Sequence, residues 1–347
     1  MGAEEPHGSR RPPATLLDEL PRWRLARLLR GAGVSTLLSR LRLKWRRLRL
    51  QEVTVRLLRG EAGIRIEGGT GARLLEADEL TGLRLAAPGG DKSFDAQASM
   101  EPPYDISADD IDVEPRRPII AVDLSLLPMH RHPRELRSLR RQLICTLGVV
   151  RRYLWDAHLL LAPVGAETIT WLQQGMRLDR VWLSGTGCAE TLRSHGYRRI
   201  ILLDPDAPRD LSADDVLEAD AFIIGGIVDL TPVKGATRSI PGVEGVERRR
   251  ISLRGSIIGV PNRINIIASI ILTARYVTLG DVEEAVRRNM CPRDARLRAA
   301  VEIARRARSG MVDWSLYMEL RKWLPLTEKD FLRAARMAGV TVTGEKP

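Results

Sequence analysis

The chain has 347 residues, 44% of them hydrophobic but only 4% aromatic, and a formal net charge of +11. That length exceeds one small core and calls for two or three domains. The excess of arginine favours a polyanionic partner, since each phosphate contact releases counterions.

Residues 1–13 are polar and proline-rich, the composition of a frayed terminus. Helical periodicity follows over about 16–29 and again over 35–48. These stretches carry a basic run that includes Arg40, Arg42, Lys44, Arg46 and Arg47, with Trp23 and Trp45 interleaved and almost no acids to neutralise it. Such a run suits RNA phosphates and stacking on exposed bases. A solvated helix face with its tryptophans turned inward is the alternative. From Glu52 the pattern changes to alternation, as in VTVRLLRG and GIRIEGG, with glycine turns between segments. A small antiparallel β unit is predicted there. Residues 1–87 then read as a basic amino-terminal domain, and 88–115, acidic and proline-rich, as a linker.

At Pro118 the pattern becomes α/β. Strands are predicted at 119–122, 159–162, 180–183, 199–203 and 221–224, with helices at 134–153, 167–175 and 189–195 between them. Alternation of this kind implies a parallel sheet covered on both faces, whose ligands sit beyond the carboxyl ends of the strands. Asp123, Asp204 and Asp229 each fall just past a strand, near one edge. This α/β domain extends over 116–292. Beyond Cys291 apolar residues recur at helical spacing, and Thr327 with Asp330 is a capping pair, giving a helical domain over 293–347.

The stretch 221–277 is the most distinctive. Ala221 to Ile224 is a short buried-strand pattern ended by Gly225 and Gly226, which let backbone turn sharply and approach a ligand. Ile251 to Leu253 reads as a second buried strand, followed by Arg254 and Gly255. An apolar helix is predicted over 265–277, with Pro261 and Asn262 as start signals. Two glycine-ended strands beside one helix entry make a cradle of backbone groups for a small ligand.

Several chemistries are excluded. No Walker loop, nucleophile elbow, zinc-protease or kinase motif is present, and Gly185-Thr186-Gly187 lacks the rest of a dinucleotide loop. Cys145, Cys188 and Cys291 are odd in number and far apart, which argues for buried thiols rather than disulfides or a metal site. His130 and His132 are close, but two further zinc ligands are lacking. The amino-terminal residues lack signal-peptide layout, and the longest apolar run, 264–274, is too short to span a bilayer. A cytoplasmic, soluble protein without metal or membrane contact is expected. Only three asparagines (Asn262, Asn265, Asn289) and many arginines also fit a heat-adapted protein.

Four features then resemble one family. They are Ala121-Val122-Asp123 with Gln142 and Tyr153, and Leu203-Asp204-Pro205. The third is Gly225-Gly226-Ile227-Val228-Asp229 with Lys234-Gly235-Ala236-Thr237, and the fourth Arg263-Ile264-Asn265 with Ile270-Ile271-Leu272. Over 118–292 the chain resembles the archaeal tRNA purine-9 N1-methyltransferases of the SPOUT superfamily; 251–259 departs from the family's common form. The resemblance implies a parallel sheet with a carboxyl-terminal trefoil knot, between a basic α+β domain and a small helical one. It implies a monomer acting on tRNA with S-adenosylmethionine, at N1 of adenine, guanine or both. Around the cofactor it places Leu203, Asp204, Pro205, Ile224, Gly225, Gly226, Ile227, Val228, Ile251, Leu253, Arg254, Gly255, Asn262, Arg263, Ile264 and Asn265. Arg254 and Arg263 are there for phosphate or cofactor carboxylate, or merely solvated. Asp229 is the candidate base and Gln142 a partner for the target purine. Arg40, Arg42, Lys44, Arg46, Arg47 and Lys234 are candidate RNA contacts. Another SPOUT methyltransferase, or an RNA binder without catalysis, remains the alternative.

Overall fold

The computed structural model describes residues 11–228 and 240–344. Two short helices open it, α1 (Ala14–Leu17) and α2 (Pro21–Gly31). There follow β1 (Thr36–Ser39), α3 (Arg49–Leu58), β2 (Gly63–Arg65), β3 (Gly69–Ala77), β4 (Arg84–Pro88), β5 (Lys92–Phe94) and β6 (Ala96–Ser99). The strands form one sheet in the order β2-β6-β1-β4-β3-β5. It is mixed rather than antiparallel, because β1 runs parallel to both β4 and β6. Three expectations are corrected here. The second helix predicted over 35–48 is instead β1 and a loop, and a helix occupies 49–58, where alternation suggested a strand. Residues 92–99, read as part of a linker, supply β5 and the interior strand β6. Ile106 and Ile111 of the same stretch are buried in this unit's core.

The second sheet comprises β7 (Ile119–Asp123), β8 (Leu159–Ala162), β9 (Trp182–Leu183), β10 (Ile200–Leu203), β11 (Ala221–Gly225) and β12 (Glu247–Arg249). All pairs are parallel and the order is β12-β10-β11-β7-β8-β9. Side chains alternate between two apolar layers, as the pleat requires. Ile120, Val122, Leu161, Ile201, Phe222 and Ile224 belong to one core. Ile119, Ala121, Leu160, Leu202 and Ile223 belong to the other. The first layer is roofed by α4 (Pro133–Tyr153) and by α8 (Ile264–Tyr276), which pack together with Tyr153 and Tyr276 stacked at 5.6 Å. Helix α6 (Cys188–Ser194) contributes Cys188, Ala189 and Leu192 to the second. Between these lie α5 (Ala166–Gln173) and α7 (Ala213–Glu218), the latter started by a capping box of Ser212 and Asp215.

The strand expected at 251–253 is replaced by β12, a charged edge strand. Its arginines are fixed by acids of neighbouring elements: Arg248 by Asp204, Arg249 by Asp215. Helix α9 (Val282–Asn289) leads to α10 (Pro292–Arg306), α11 (Ser315–Leu320) and α12 (Glu328–Met337). Strands β13 (Met311–Asp313) and β14 (Thr341–Thr343) pair in parallel beside them. Thr327 caps α12 reciprocally with Asp330. Phe331, Tyr317 and Leu320 of this unit share one core with Ile224 and Leu253 of the sheet domain.

The amino-terminal segment is tied to the same core. Leu16, Leu17 and Leu20 are buried in it. Glu19 accepts from Arg275 at 2.7 and 2.5 Å and from the Tyr276 hydroxyl at 2.8 Å. Arg275, only 2% exposed, also donates to the Val216 carbonyl at 2.6 Å. Among the described residues no helix is long and apolar enough to cross a membrane.

Candidate functional site

The carboxyl ends of β7, β11, β10 and β12 lie side by side, with Asp123 opposite Gly225, Ile224 opposite Leu203, and Leu203 opposite Arg249. Chain leaving these ends makes the candidate site. Leu203, Ile224, Ile251, Leu253 and Ile264 are all buried in the larger core of the sheet domain, and Leu203 and Ile224 are register partners across β10 and β11. Asp204 follows Leu203; its carboxylate is buried, accepts the Asp206 amide at 3.0 Å and pairs with Arg248. That engagement makes Asp204 a brace for the loop. Pro205, Arg254, Gly255, Asn262 and Arg263 are exposed around this core, and Gly225, Ile227, Val228 and Asn265 are half-buried.

Gly226 is glycine for a packing reason. Its amide donates to the Asp123 carbonyl at 2.7 Å, and a Cβ there would lie 2.5 Å from that oxygen and 2.8 Å from Leu124. The close approach is thus to β7, and it holds the β11 exit against the neighbouring strand. Next along, the Val228 amide donates to Nε2 of His130 at 3.0 Å, while Nδ1 of His130 lies 3.0 Å from the Leu127 carbonyl. Both contacts are satisfied only by the neutral ring protonated on Nδ1. His130, set aside in sequence as half of an incomplete zinc pair, is therefore the post that holds the backbone one residue before Asp229. No sequence signal marks a contact that spans 98 positions. Asp229 and Lys234 lie outside the described residues, as do Gly235, Ala236 and Thr237.

Gln142 projects from α4, and its Oε1 accepts the Ile264 amide at 2.9 Å. It thereby takes one of the orphan donors at the amino end of α8. Its carboxamide N–H groups remain for other work, with one weak contact of 3.5 Å to Ser138. The 253–256 segment is a two-residue turn. Leu253 and Ser256 exchange both hydrogen bonds, and Arg254 and Gly255 have φ of 50° and 69°, as a type I′ turn needs. Beneath the site, burial and then the Asp123 carboxylate push the Cys188 thiol well above its ordinary range, so it is inert; Cys145, by contrast, is exposed.

The basic run falls on the loop after β1. Arg40, Arg42, Lys44, Arg46 and Arg47 are exposed there. Arg40 binds Gln97, and none of the five side chains has an acid partner among the described residues. The buried Glu52 carboxylate accepts the amides of Lys44 and Trp45 at 2.7 to 2.9 Å, while Trp45 packs on the adjoining core. The loop is anchored by its backbone and offers its charges outward. A separate cavity of about 830 Å³, lined by Arg116, Trp155, Arg180, Trp182 and Tyr197, sits at the opposite, amino edge of the sheet. Among the described residues no cluster of metal-ligating side chains occurs.

Comparison with known proteins gives these features a context. A family described as protein arginine N-methyltransferase SFM1-like matches residues 149–254. The tRNA (guanine(9)-/adenine(9)-N1)-methyltransferase of Thermococcus kodakarensis is 33% identical over 243 residues, 64% of this chain and 62% of the relative. The tRNA (adenine(9)-N1)-methyltransferase of Sulfolobus acidocaldarius is 32% identical over 177 residues, 50% of this chain and 54% of the relative. The matched region thus spans little more than half the length of these curated relatives. A crystal structure of Sulfolobus acidocaldarius Trm10 in complex with S-adenosylhomocysteine superposes with a TM-score of 0.70 at 20% identity. It covers 92% of this chain and 98% of that one, and shows that the two share a fold. By sequence, the chain is similar to two archaeal tRNA N1-methyltransferases over part of its length.

Proposed function

We propose that this chain transfers a methyl group from S-adenosylmethionine to N1 of the purine, adenine or guanine, at position 9 of tRNA. The observation that carries the reading is the alignment of the carboxyl ends of β7, β11, β10 and β12, with the buried Leu203 opposite Ile224, in a chain whose relatives bear that activity in their names. The residues fit such a cofactor. Apolar side chains suit the faces of an adenine ring, and exposed backbone at Arg254 and Gly255 suits its polar edge. A Cβ at Gly255 would meet nothing within 4 Å, so the rim of the turn is open.

Bound there, S-adenosylmethionine supplies an electrophilic methyl on its sulfonium. The chain's part is to hold the purine N1 in line, which accounts for much of the acceleration in a direct transfer. Guanine N1 carries a proton, and the Asp229 carboxylate takes it as general base. Adenine N1 already presents a lone pair, so there Asp229 orients the base, aided by the Gln142 amide. Position 9 is stacked in folded tRNA, and its exposure costs a few kcal/mol of unstacking. The anchored loop of Arg42, Lys44, Arg46 and Arg47 contacts backbone phosphates, which position the RNA without reading sequence. A trefoil knot, with α8 drawn back against α4 through Gln142 and Ile264, belongs to this reading. So do a monomeric state and a cytoplasmic location.

The deciding experiment incubates purified protein with labelled methyl donor and unmodified tRNA transcripts bearing A or G at position 9, then locates the label. Label at N1 of that purine is expected. Label elsewhere on RNA would instead support a different SPOUT specificity. Label on arginine of an added protein fraction would favour the chemistry named by the family that matches 149–254.

A further inference from the structure

The turn of Arg254 and Gly255 is gripped from the side of the carboxyl-terminal helices. The Arg254 guanidinium lies over the Trp323 ring, 4.2 Å from its centroid. Arg298 of α10 approaches the same ring at 5.4 Å, is 2% exposed, and pairs with Glu302 at 3.0 Å. The Arg254 amide donates to Glu283 of α9 at 2.8 Å. Five residues on, Gly259 (φ 77°) is so close to α10 that a Cβ would lie 2.6 Å from the Arg298 Cβ and 2.9 Å from the Asp294 carbonyl oxygen. The segment is therefore held at both ends, Arg254 on α9 and Trp323 and Gly259 on α10, while Ile257 and Ile258 between them are exposed.

That seating has a physical purpose. Arginine at positive φ is disfavoured, and an exposed turn so built needs outside contacts to stay populated. Trp323 is 6% exposed and fixed in the core that it shares with Phe331 and Leu320, so it is a rigid platform for a flexible cation. We propose that Trp323 is a positioning residue: through Arg254 the carboxyl-terminal unit holds the cofactor turn in the shape that receives the adenosyl group. This rests on the assignment of that turn to the cofactor socket. It gives the carboxyl-terminal helices a task besides contact with RNA.

A double-mutant cycle on the full-length chain tests it, with S-adenosylhomocysteine affinity read by calorimetry. Arg254→Met and Trp323→Leu should each weaken binding about two- to fivefold, the range of a cation–π contact with an exposed cation. The two together should cost no more than either alone, since they remove one interaction. Trp323→Phe, which keeps a ring, should recover most of the loss, and tRNA affinity of Trp323→Leu should stay within about twofold of wild type. Multiplicative losses in the cycle would overturn the proposal, because Arg254 would then meet the ligand independently of Trp323. So would a folded Trp323→Leu protein that binds as tightly as wild type. Should Trp323→Leu fail to fold, the cycle is run with Trp323→Met, which also lacks a ring, against Arg254→Met, and additivity again rejects the coupling. Absence of binding by the wild-type chain would reject the socket itself, and the buttress with it.

Discussion

The two edges of the parallel sheet are built to different specifications. At the amino edge charged and aromatic groups are locked in place. Arg151 pairs with the buried Asp156 at 2.5 Å, Arg117 with Asp220 at 3.0 Å, and His158 is buried with Nδ1 on the Pro118 carbonyl. At the carboxyl edge charged groups are paired too, Arg248 with Asp204 and Arg249 with Asp215, but a further set of contacts holds main chain: His130 to Val228, Gln142 to Ile264, Glu283 to Arg254. The cavity of about 830 Å³ lies at the amino edge. On the proposed function, the edge where side chains aim backbone is the one that carries the chemistry, and the other edge carries stability.

That division can be broken by experiment. The largest effect is expected at the amino edge in acid. Burial, above all, depresses His158 from 6.5 to about 3. The unfolded chain therefore binds a proton between those values that the folded chain refuses. Stability from this group is complete above pH 6.5 and is lost as pH falls toward 3, by up to roughly 5 kcal/mol at about 1.4 per unit. His158→Asn, which keeps a donor for Pro118, should flatten that acid limb in denaturant titrations while S-adenosylhomocysteine affinity stays unchanged. At the other edge Asp229→Asn should lower turnover on guanine about 10² to 10³-fold, with much less loss on adenine and no loss of tRNA affinity. Equal losses on both bases would remove proton abstraction from the mechanism. His130→Ala should be milder, about a tenfold fall in kcat with KM and melting midpoint near wild type, because it frees one amide beside Asp229. A large drop in melting temperature would instead place His130 with the stabilising edge.

Sequence legibility followed the same line. Strands buried on both faces read as continuous apolar runs, so five of the parallel strands were found nearly in place. The sixth, β12, is Glu-Arg-Arg, held by Asp204 and Asp215 rather than by burial, and carries no apolar pattern to read. The buried Ile251 and Leu253 drew that assignment to themselves. In the first sheet Leu50, Val53, Val55 and Leu57 satisfy both helical spacing and alternation; helix prevails because Leu50, Val53, Leu57 and Leu58 all enter one core. The glycine pair was visible in sequence, but its packing against Asp123 was not. His130 and Trp323 were beyond reach for one reason: each works through a partner remote in the chain.

The link between Glu19 and Arg275 sets a limit on dissection. A shortened protein starting after the first sheet would keep α8 but strip its buried Arg275 guanidinium of the half-buried Glu19 carboxylate, its only acid partner among the described residues. Losing one partner of such a pair costs about 3 to 5 kcal/mol, a large share of a domain's margin. The α/β half of this molecule is therefore not a free-standing module, and residues 16–20 are part of its foundation.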